Sequence, residues 1–359
     1  MGQLPTTRVT PARAFLHPGL DYIGPVTLKT FQGRGAKSFK GWIAVFVCFT
    51  TSAIHLKIVT DYLTGAFIAA YRRFVSRRGI CHTIYSDCGT NFVGADETLR
   101  AEFTAGSQSL GELSHLQATD NTQWKFNPSG APNFGGKWEA AIKSIKFHFA
   151  RTIGYHLMTY EQLATVLTQI EAALNSRPLA PLSEDPPDLE ALIPGHFLIE
   201  EPLTAILEPT LPLPTESILK GYKLQKQLIQ QFWRRWSAEM LQRHQGISKW
   251  HHSTNERRVG TMELLTDERF SPTKWQLARI LAIHSRRDGH TRVVTLRTAT
   301  TELLRPISKL CVLPVHTADT TLDDAVVNVE ENVQSRHSKI HKQEARERRL
   351  FCFSMLISI

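Results

Sequence analysis

The feature that most constrains the fold is a near-continuous apolar run over residues 41–49. A strand that is buried on both faces has a nearly unbroken apolar sequence, so this segment is predicted to lie at the centre of a sheet. Strand-like runs at 20–28 and 53–59 lie on either side of it in the sequence. Gly33 and Gly35 favour a hairpin between the first two runs. The N-terminal part of the chain is therefore predicted to be built around a sheet.

Helices are predicted at four places around these strands, one of them at residues 96–103. The segment 64–78 has an apolar stripe and is stopped by Gly79. The stripe is made of Phe67, Ala70, Tyr71 and Phe74. Thr159 and Gln162 have the spacing of a capping box that opens another helix. Short strands are predicted at 82–86 and 123–126.

The stretch 133–146 predicts a further helix, which has two different faces. Its core-facing stripe recurs at i, i+4, i+7 and i+11 and consists of Trp138, Ile142, Ile145 and Phe149. The neighbouring stripe is charged and consists of Glu139, Lys143 and Lys146. These charges are compatible with an ion pair on a solvated helix as well as with a functional site.

Two further carboxylates, Asp21 and Asp87, lie at strand ends before glycine-containing turns. Strand ends and the loops that follow them are where α/β sheets place their working residues. Three carboxylates from two strands and one helix can hold two divalent cations for in-line phosphoryl transfer. Oxygen ligands suit Mg²⁺ or Mn²⁺ better than Zn²⁺. Asp21, Asp87 and Glu139 are therefore the candidate metal ligands and catalytic residues.

Several short motifs recur in a fixed order along roughly residues 1–315. They are MGQLP at 1–5, LDYIGP at 20–25, SDCGTNFVG at 86–94, APNFGGKWE at 131–139, LNSRPL at 174–179, PGHFLI at 194–199, FWRRW at 232–236 and LRPISKL at 304–310. In these motifs the chain resembles the integrases of BEL/Pao long-terminal-repeat retrotransposons, whose catalytic core is of the retroviral type. The resemblance implies an α/β class: a ribonuclease-H-like mixed sheet with flanking helices, followed by a small all-β, SH3-like barrel.

The resemblance also implies an activity, namely Mg²⁺- or Mn²⁺-dependent DNA integration with two ions held by Asp21, Asp87 and Glu139. Lys143 and Lys146 match positions that hold the element's DNA end in related integrases. Asn127 matches the turn before a loop that closes over that end. The implied partners are double-stranded DNA of the element ends and of the target, and further copies of the chain in an active homo-oligomer. The implied location is the nucleus, with assembly in the cytoplasm.

The chain departs from the family pattern in three respects. The spacing between Asp87 and Glu139 is longer than in the retroviral pattern. Cys88 follows the second aspartate where asparagine is common, and we interpret it as a small buried residue in preference to a thiolate ligand. The family's zinc module is expected ahead of Met1, and no set of His and Cys in this chain replaces it, so no zinc is expected here. The chain is therefore interpreted as a polyprotein fragment, either active or a catalytically silent, domesticated or relic DNA-binding protein.

Charge divides the chain into segments and indicates a polyanionic partner. The net charge is +9, yet residues 186–219 carry six acidic and no basic side chains, whereas residues 220–315 carry 18 basic and seven acidic ones. The predicted divisions are a catalytic core at 1–185, an acidic, proline-rich connector at 186–219, a helical link at 220–256, a basic β-barrel at 257–315 and a disordered tail at 316–359.

The basic region offers two candidate nucleic-acid surfaces, each with a plainer alternative. An aromatic stripe in the link helix, formed by Leu224, Leu228, Phe232, Trp233 and Trp236, favours helix packing over base stacking. The arginines of the barrel are candidates for phosphate contact or are simply solvated, and neither alternative is preferred. They are Arg279, Arg286, Arg287, Arg292 and Arg297.

Five scattered cysteines without a Cys-x-x-Cys pair favour a reducing compartment over a disulfide scaffold. The sequence predicts neither a signal peptide nor a membrane span, because no apolar run is long enough.

Overall fold

The computed structural model describes residues 6–109, 122–127, 136–154, 156–183, 185, 187–203, 222–251, 257–266, 272–285 and 291–313. The N-terminal region contains α1 (Thr6–Val9), β1 (Pro18–Lys29), β2 (Ser38–Cys48), β3 (Ile54–Val59), α2 (Thr64–Arg78), β4 (Thr83–Ser86), α3 (Thr90–Ser109), β5 (Gln123–Phe126), α4 (Gly136–Thr152), β6 (Met158–Thr159) and α5 (Tyr160–Asn175). Apart from α1 and β6, which the sequence did not predict, this alternation of strands and helices is the predicted order.

The first sheet is mixed, with the strand order β3-β2-β1-β4-β5 and with β6 pairing the far end of β1. Strands β1, β2 and β3 form an antiparallel meander. Strand β4 lies parallel to β1, and β5 lies parallel to β4. The apolar run of 41–49 forms most of β2, an interior strand, and β1 lies beside the strand that leads to Asp87. The predicted mixed α/β sheet is thus confirmed.

The two faces of this sheet are covered by different helices. The stripe of α4 is buried in one core, together with the apolar face of α5. The stripe of α2 is buried in the other core, together with Phe92 and Ala95 of α3. Alternate residues of β1 divide between the two, since Ile23 lies in the first core and Leu20 and Tyr22 lie in the second. This alternation follows from the two-residue period of a strand.

Several helices begin or end where local sequence motifs predict. Helix α2 has the predicted bounds, and the amide of Gly79 donates to the carbonyl of Val75 at its end. The predicted capping box is present: Thr159 Oγ1 accepts from the amide of Gln162, and the Gln162 side chain accepts from the amide of Thr159. Helix α3 is longer at both ends than the predicted 96–103.

The C-terminal region is a five-stranded antiparallel sheet that follows one long helix. Its elements are α7 (Tyr222–His251), β9 (Met262–Leu265), β10 (Leu277–Ser285), β11 (Thr291–Arg297), β12 (Glu302–Pro306), a 3₁₀ turn (Ile307–Lys309) and β13 (Leu310–Val312). The strand order β12-β11-β10-β9-β13 brings the last strand beside the first. The predicted small β domain is confirmed; strands were predicted at 259–265, 275–283, 292–297 and 310–313, and β12 is additional.

Helix α7 packs against both regions, so it is more than a link. Leu228, Phe232 and Trp236 are buried in the same core as α4 and α5, which confirms that the aromatic stripe serves packing. Trp275, just before β10, stacks edge-on against Trp233, and its Nε1 donates to Ser176 Oγ over 3.1 Å. One continuous core therefore joins the first sheet to the second.

The predicted connector at 186–219 is folded in its first part. Strand β7 (Ala180–Pro181) pairs with β8 (Ala191–Leu192), and a short helix α6 (His196–Ile199) follows. Leu192 and His196 are buried, and Leu192 packs with Ala180, Leu182 and Phe197 in a small cluster of its own. The remainder of the connector from 204 on and the predicted tail at 316–359 lie outside the described residues.

Candidate active site at the acidic sheet edge

The register of two parallel strands brings Asp21 and Asp87 together where β4 ends, at a position that we call the acidic edge. Asp21 lies within β1, so its predicted place at a strand end was wrong. Gly19 of β1 pairs with Tyr85 of β4. Asp21 and Asp87 each come two residues after this pair, so they lie at the same level across the two parallel strand directions. Asp87 lies directly after the last residue of β4, where the parallel ladder ends. The structure thus brings together two of the three carboxylates that the sequence singled out.

Helix α4 is held over this edge by a close approach at Gly19. A Cβ atom built on Gly19 would lie only 2.5–2.9 Å from ring atoms of Trp138. Only glycine leaves room for that ring against the strand, and Trp138 is the first residue of the buried stripe. The glycine therefore sets the distance between β1 and the helix that carries Glu139, Lys143 and Lys146.

A lysine of α4 supplies the positive charge at the acidic edge. Lys146 Nζ donates to Asp21 Oδ2 over 2.6 Å, and both side chains are partly exposed. The other oxygen of Asp21 accepts from the amide of Tyr22 over 2.6 Å. Lys143 is exposed one turn earlier on the same helix. One of the two predicted lysines therefore already contacts a candidate metal ligand.

Asp87 is the less compensated of the two aspartates. Loss of surrounding water raises the pKa of Asp87, and the negative charge of Asp21 raises it further. The amide of Gly89, the charge of Lys146 and the residue's own amide act in the opposite direction and offset this only in part. A cation placed between the two carboxylates would relieve this repulsion.

Glu139 is turned toward another partner. Asn127 Nδ2 donates to Glu139 Oε1 over 3.2 Å, and the carbonyl of Asn127 accepts from Cys88 Sγ over 3.1 Å. Within the described parts of the chain, no three side chains of His, Cys, Asp or Glu are grouped as a metal site. The expected three-acid ligand set is therefore not assembled in this conformation.

Cys88 is exposed, so its interpretation as a buried residue was wrong; it lies in the turn beyond β4, outside both cores.

The sequence did not single out Tyr62, which lies beside the same edge. It follows β3 in the turn before α2 and is 43% exposed. Burial of part of the hydroxyl raises the pKa of Tyr62, and the charges of Asp87 and Asp21 raise it further. The only available signal was an aromatic residue in the turn that follows a strand.

The candidate arginines of the C-terminal sheet fall into three groups. Arg279 is 6% exposed, and its guanidinium donates to the carbonyls of Gly260, Ser183, Asp185 and Asp188. Its assignment as a phosphate contact is therefore corrected: it ties β10 to the loop between β7 and β8. Arg292 and Arg297 are exposed, as a phosphate contact requires. Arg286 and Arg287 lie outside the described residues.

Comparison with protein families gives a match in the C-terminal region. Residues 220–313 match the model of a family of unknown function, DUF5641, which is typical of integrase-associated C-terminal regions of retrotransposons. The matched segment contains α7 and the second sheet and contains none of the three candidate acids. Among curated proteins, none matches this chain.

Among the described helices, none is both long enough and apolar enough to cross a membrane.

Proposed function

We propose that this chain is the catalytic and C-terminal part of a retrotransposon integrase, a polynucleotidyl transferase that trims and joins DNA ends. The observation that carries the proposal is the pairing of β1 with β4, which sets Asp21 beside Asp87 under Lys146 of α4. The retrotransposon-associated family that matches residues 220–313 supports it independently, because that match uses no residue of the acidic edge.

The donors at this edge fit a hard divalent cation. Asp21 and Asp87 offer carboxylate oxygens, the ligand type of Mg²⁺ and Mn²⁺. The pKa of Asp87 is raised first by loss of surrounding water and second by the negative charge of Asp21, which a bound cation would offset. Glu139 would complete the ligand set after exchanging its hydrogen bond with Asn127. When bound, such ions supply charge stabilisation and an activated oxygen nucleophile for in-line phosphoryl transfer.

The chain's own residues have distinct parts in this proposal. Asp21 and Asp87 orient the reacting phosphate by fixing the cation positions. Lys146 exchanges its carboxylate partner for a DNA phosphate, and Lys143 adds a second positive charge on the same helix face. Asn127 positions Glu139 through the hydrogen bond between their side chains. No covalent enzyme intermediate is required.

The proposed partner is double-stranded DNA, both element end and target. Neutralising phosphates with lysine and arginine makes such binding strongly dependent on salt. Lys143, Lys146, Arg292 and Arg297 are the described residues proposed for this contact. We further propose that the active form is a homo-oligomer and that it acts in the nucleus, where target DNA lies.

A catalytically silent DNA-binding protein is the second candidate. It is favoured by two contacts of the acidic edge: Lys146 engages Asp21, and Asn127 engages Glu139. If these contacts persist with DNA bound, a cation does not enter the site and the protein only retains DNA.

The experiment that separates the two candidates is Mg²⁺-dependent nicking and joining of a labelled terminal-repeat duplex. We expect Asp87→Asn to lower joining by at least about 100-fold, the scale on which a single charge-stabilising group acts. Glu102→Gln on the exposed surface of α3 removes one carboxylate elsewhere and should leave joining unchanged. Equal joining by Asp87→Asn and wild type would sink the assigned chemistry. Retention of DNA without nicking by the wild type would favour the silent protein.

A further inference from the structure

Ser86, the last residue of β4, carries a fully buried hydroxyl group directly before Asp87. Its Oγ accepts from Trp124 Nε1 over 2.8 Å and donates to the main-chain carbonyl of Asp87 over 2.8 Å. A hydroxyl group has a single hydrogen to donate, so these two bonds fix its rotation. The peptide group that links Asp87 to the next residue is therefore held against the interior of the protein.

The indole of Trp124 gives this hydroxyl a firm support. Trp124 lies in β5, pairs with Ile84 of β4 and is 7% exposed. Its ring packs edge-on at 5.7 Å from that of Phe67 and is stacked at 6.0 Å on that of Phe126. A buried indole N–H needs an acceptor, which Ser86 provides. Satisfying this indole is the plainer role of Ser86.

The main chain of Ser86 leads to the third candidate acid. Its carbonyl accepts from the amide of Asn127 over 2.8 Å, directly beyond the end of β5. The carbonyl of Asn127 accepts from Cys88 Sγ, and its side-chain amide donates to Glu139. Asn127 is therefore bound on one side to the segment that carries Asp87 and on the other side to α4. Ser86 contacts both parts of this connection.

We propose that Ser86 is a positioning residue, which sets Asp87 against Asn127 and, through Asn127, against Glu139. This role rests on the proposed function, because it concerns the carboxylates that would hold a cation at the acidic edge. Groups that orient metal ligands contribute to metal affinity although they do not touch the metal. Without the Ser86 hydroxyl, the peptide after Asp87 loses its donor, and the two acids no longer keep a fixed spacing.

The test measures binding of Mn²⁺ alone to the purified chain, by electron paramagnetic resonance of the free ion. We expect Ser86→Ala to weaken this binding about 10-fold, the lower end of the range for loss of a group that orients a metal ligand. Ser86→Thr keeps the hydroxyl group and should restore the affinity of the wild type. Trp124→Phe removes the support of the hydroxyl and should weaken binding in the same direction, which keeps the prediction testable if Ser86→Ala does not fold.

A second measurement reports on the same segment without metal. Cys88 is exposed, and its thiol donates to the carbonyl of Asn127. Its alkylation by iodoacetamide can be followed by mass spectrometry of the peptide that contains it. Because Ser86→Ala releases the carbonyl of Asp87, the segment should open more often. We expect alkylation to be about 5-fold faster, the scale of one lost hydrogen bond.

Thr83→Val is the matched control on the same strand. Thr83 is 2% exposed, and its Oγ1 lies 3.1 Å from His82 Nδ1, at the beginning of β4. This substitution removes another buried hydroxyl group, away from the acidic edge. It should lower the unfolding temperature, as Ser86→Ala does, but leave Mn²⁺ affinity and the alkylation of Cys88 unchanged.

The outcomes separate this role from the proposed function. If folded Ser86→Ala binds Mn²⁺ as the wild type does, or if its Cys88 is alkylated no faster, Ser86 only satisfies the indole; the integrase proposal then stands. If Ser86→Thr binds Mn²⁺ as weakly as Ser86→Ala, the hydroxyl is not the positioning group. If the wild type binds Mn²⁺ no better than Asp87→Asn, the proposed function fails and the role of Ser86 fails with it.

Discussion

Two carboxylate sites of the first domain differ in how completely the protein compensates their charge. Glu171 of α5 lies against β3 and accepts from His55 Nδ1 over 3.0 Å, from the amide of Leu56 over 2.9 Å and from Arg78 Nη2 over 2.9 Å. At the acidic edge, Asp87 instead stands beside another aspartate and shares a single lysine with it. One site is a closed polar cluster, and the other has negative charge in excess.

The difference appears in opposite pKa shifts. Burial would raise the pKa of Glu171, but the hydrogen bond and charge of His55, the amide of Leu56 and the charge of Arg78 together lower it. Burial and Asp21 raise the pKa of Asp87. A structural carboxylate is thus given its counter-charges by the fold, whereas the edge keeps excess negative charge that an external cation can neutralise.

The largest effect should come from opening the closed cluster. Glu171→Ala leaves Arg78 and the amide of Leu56 without their acceptor in a largely buried site. We expect a loss of about 3–5 kcal/mol in the free energy of unfolding, as for a broken buried pair. Glu102→Ala, which removes the exposed partner of Arg72, should cost less than about 1 kcal/mol. Denaturant titration measures both, and a similar small loss for each would show that the cluster is not structural.

A smaller effect should come from disturbing how the acidic edge is built. Gly19→Ala pushes a methyl group into the Trp138 ring, so α4 must shift away from β1. We expect a loss of about 1–3 kcal/mol, as for overpacked cores. Gly65→Ala is the matched control, because its Cβ would meet nothing within 4 Å inside α2. It should be neutral or stabilise the protein by up to about 1 kcal/mol.

A stable Gly19→Ala protein would show that Trp138 can move without cost and that the edge is not fixed by this contact. The mutant should also lose any stabilisation that Mn²⁺ confers on the wild type, measured as the rise in unfolding temperature on adding the ion.

The smallest effect should be a gain of stability at the edge itself. Since the folded-state pKa of Asp87 is raised above its ordinary value of 3.8, ionised Asp87 destabilises the fold at neutral pH. The substitution Asp87→Asn should therefore stabilise the protein at pH 7 in the absence of divalent ions. The gain should be only a fraction of about 1 kcal/mol, because solvent screens the charges. The gain should shrink as the pH falls through the raised folded-state pKa of Asp87 and should be absent below 3.8.

The contribution of Glu171 to stability depends on pH in the opposite direction, over a neighbouring pH range. Its folded-state pKa is lowered below its ordinary value of 4.5, so its contribution is complete above that pH and is lost as the pH falls through the folded-state value. Thermal unfolding of wild type and of Asp87→Asn between pH 3 and pH 7 measures both trends. Destabilisation by Asp87→Asn at pH 7 would contradict the proposed excess of negative charge.

The local sequence pattern predicted the positions of some site residues, but it failed for one arginine of the second sheet. The buried stripe of α4 predicted that Glu139, Lys143 and Lys146 share a helix face at its edge. Arg279 was assigned to the surface of the C-terminal sheet, although Ala278 and Ile280 on either side of it are fully buried. An arginine within an unbroken apolar run is a sign of internal hydrogen bonding. Arg297, which pairs with it across β10 and β11, lies between buried Leu296 and buried Thr298 and is nevertheless exposed.

The sequence by itself determined the main strands and helices of the first domain, the buried stripes, the capping box of α5 and the end of α2. These features depend on residues within a few positions of one another, which a periodic pattern records. Only the tertiary structure decided which charges meet. Lys146 reaches Asp21 across 125 positions, and Glu171 meets His55 across 116. Whether a carboxylate is neutralised by the fold or left for a cation depends on such distant neighbours, and strand register and helix docking set them.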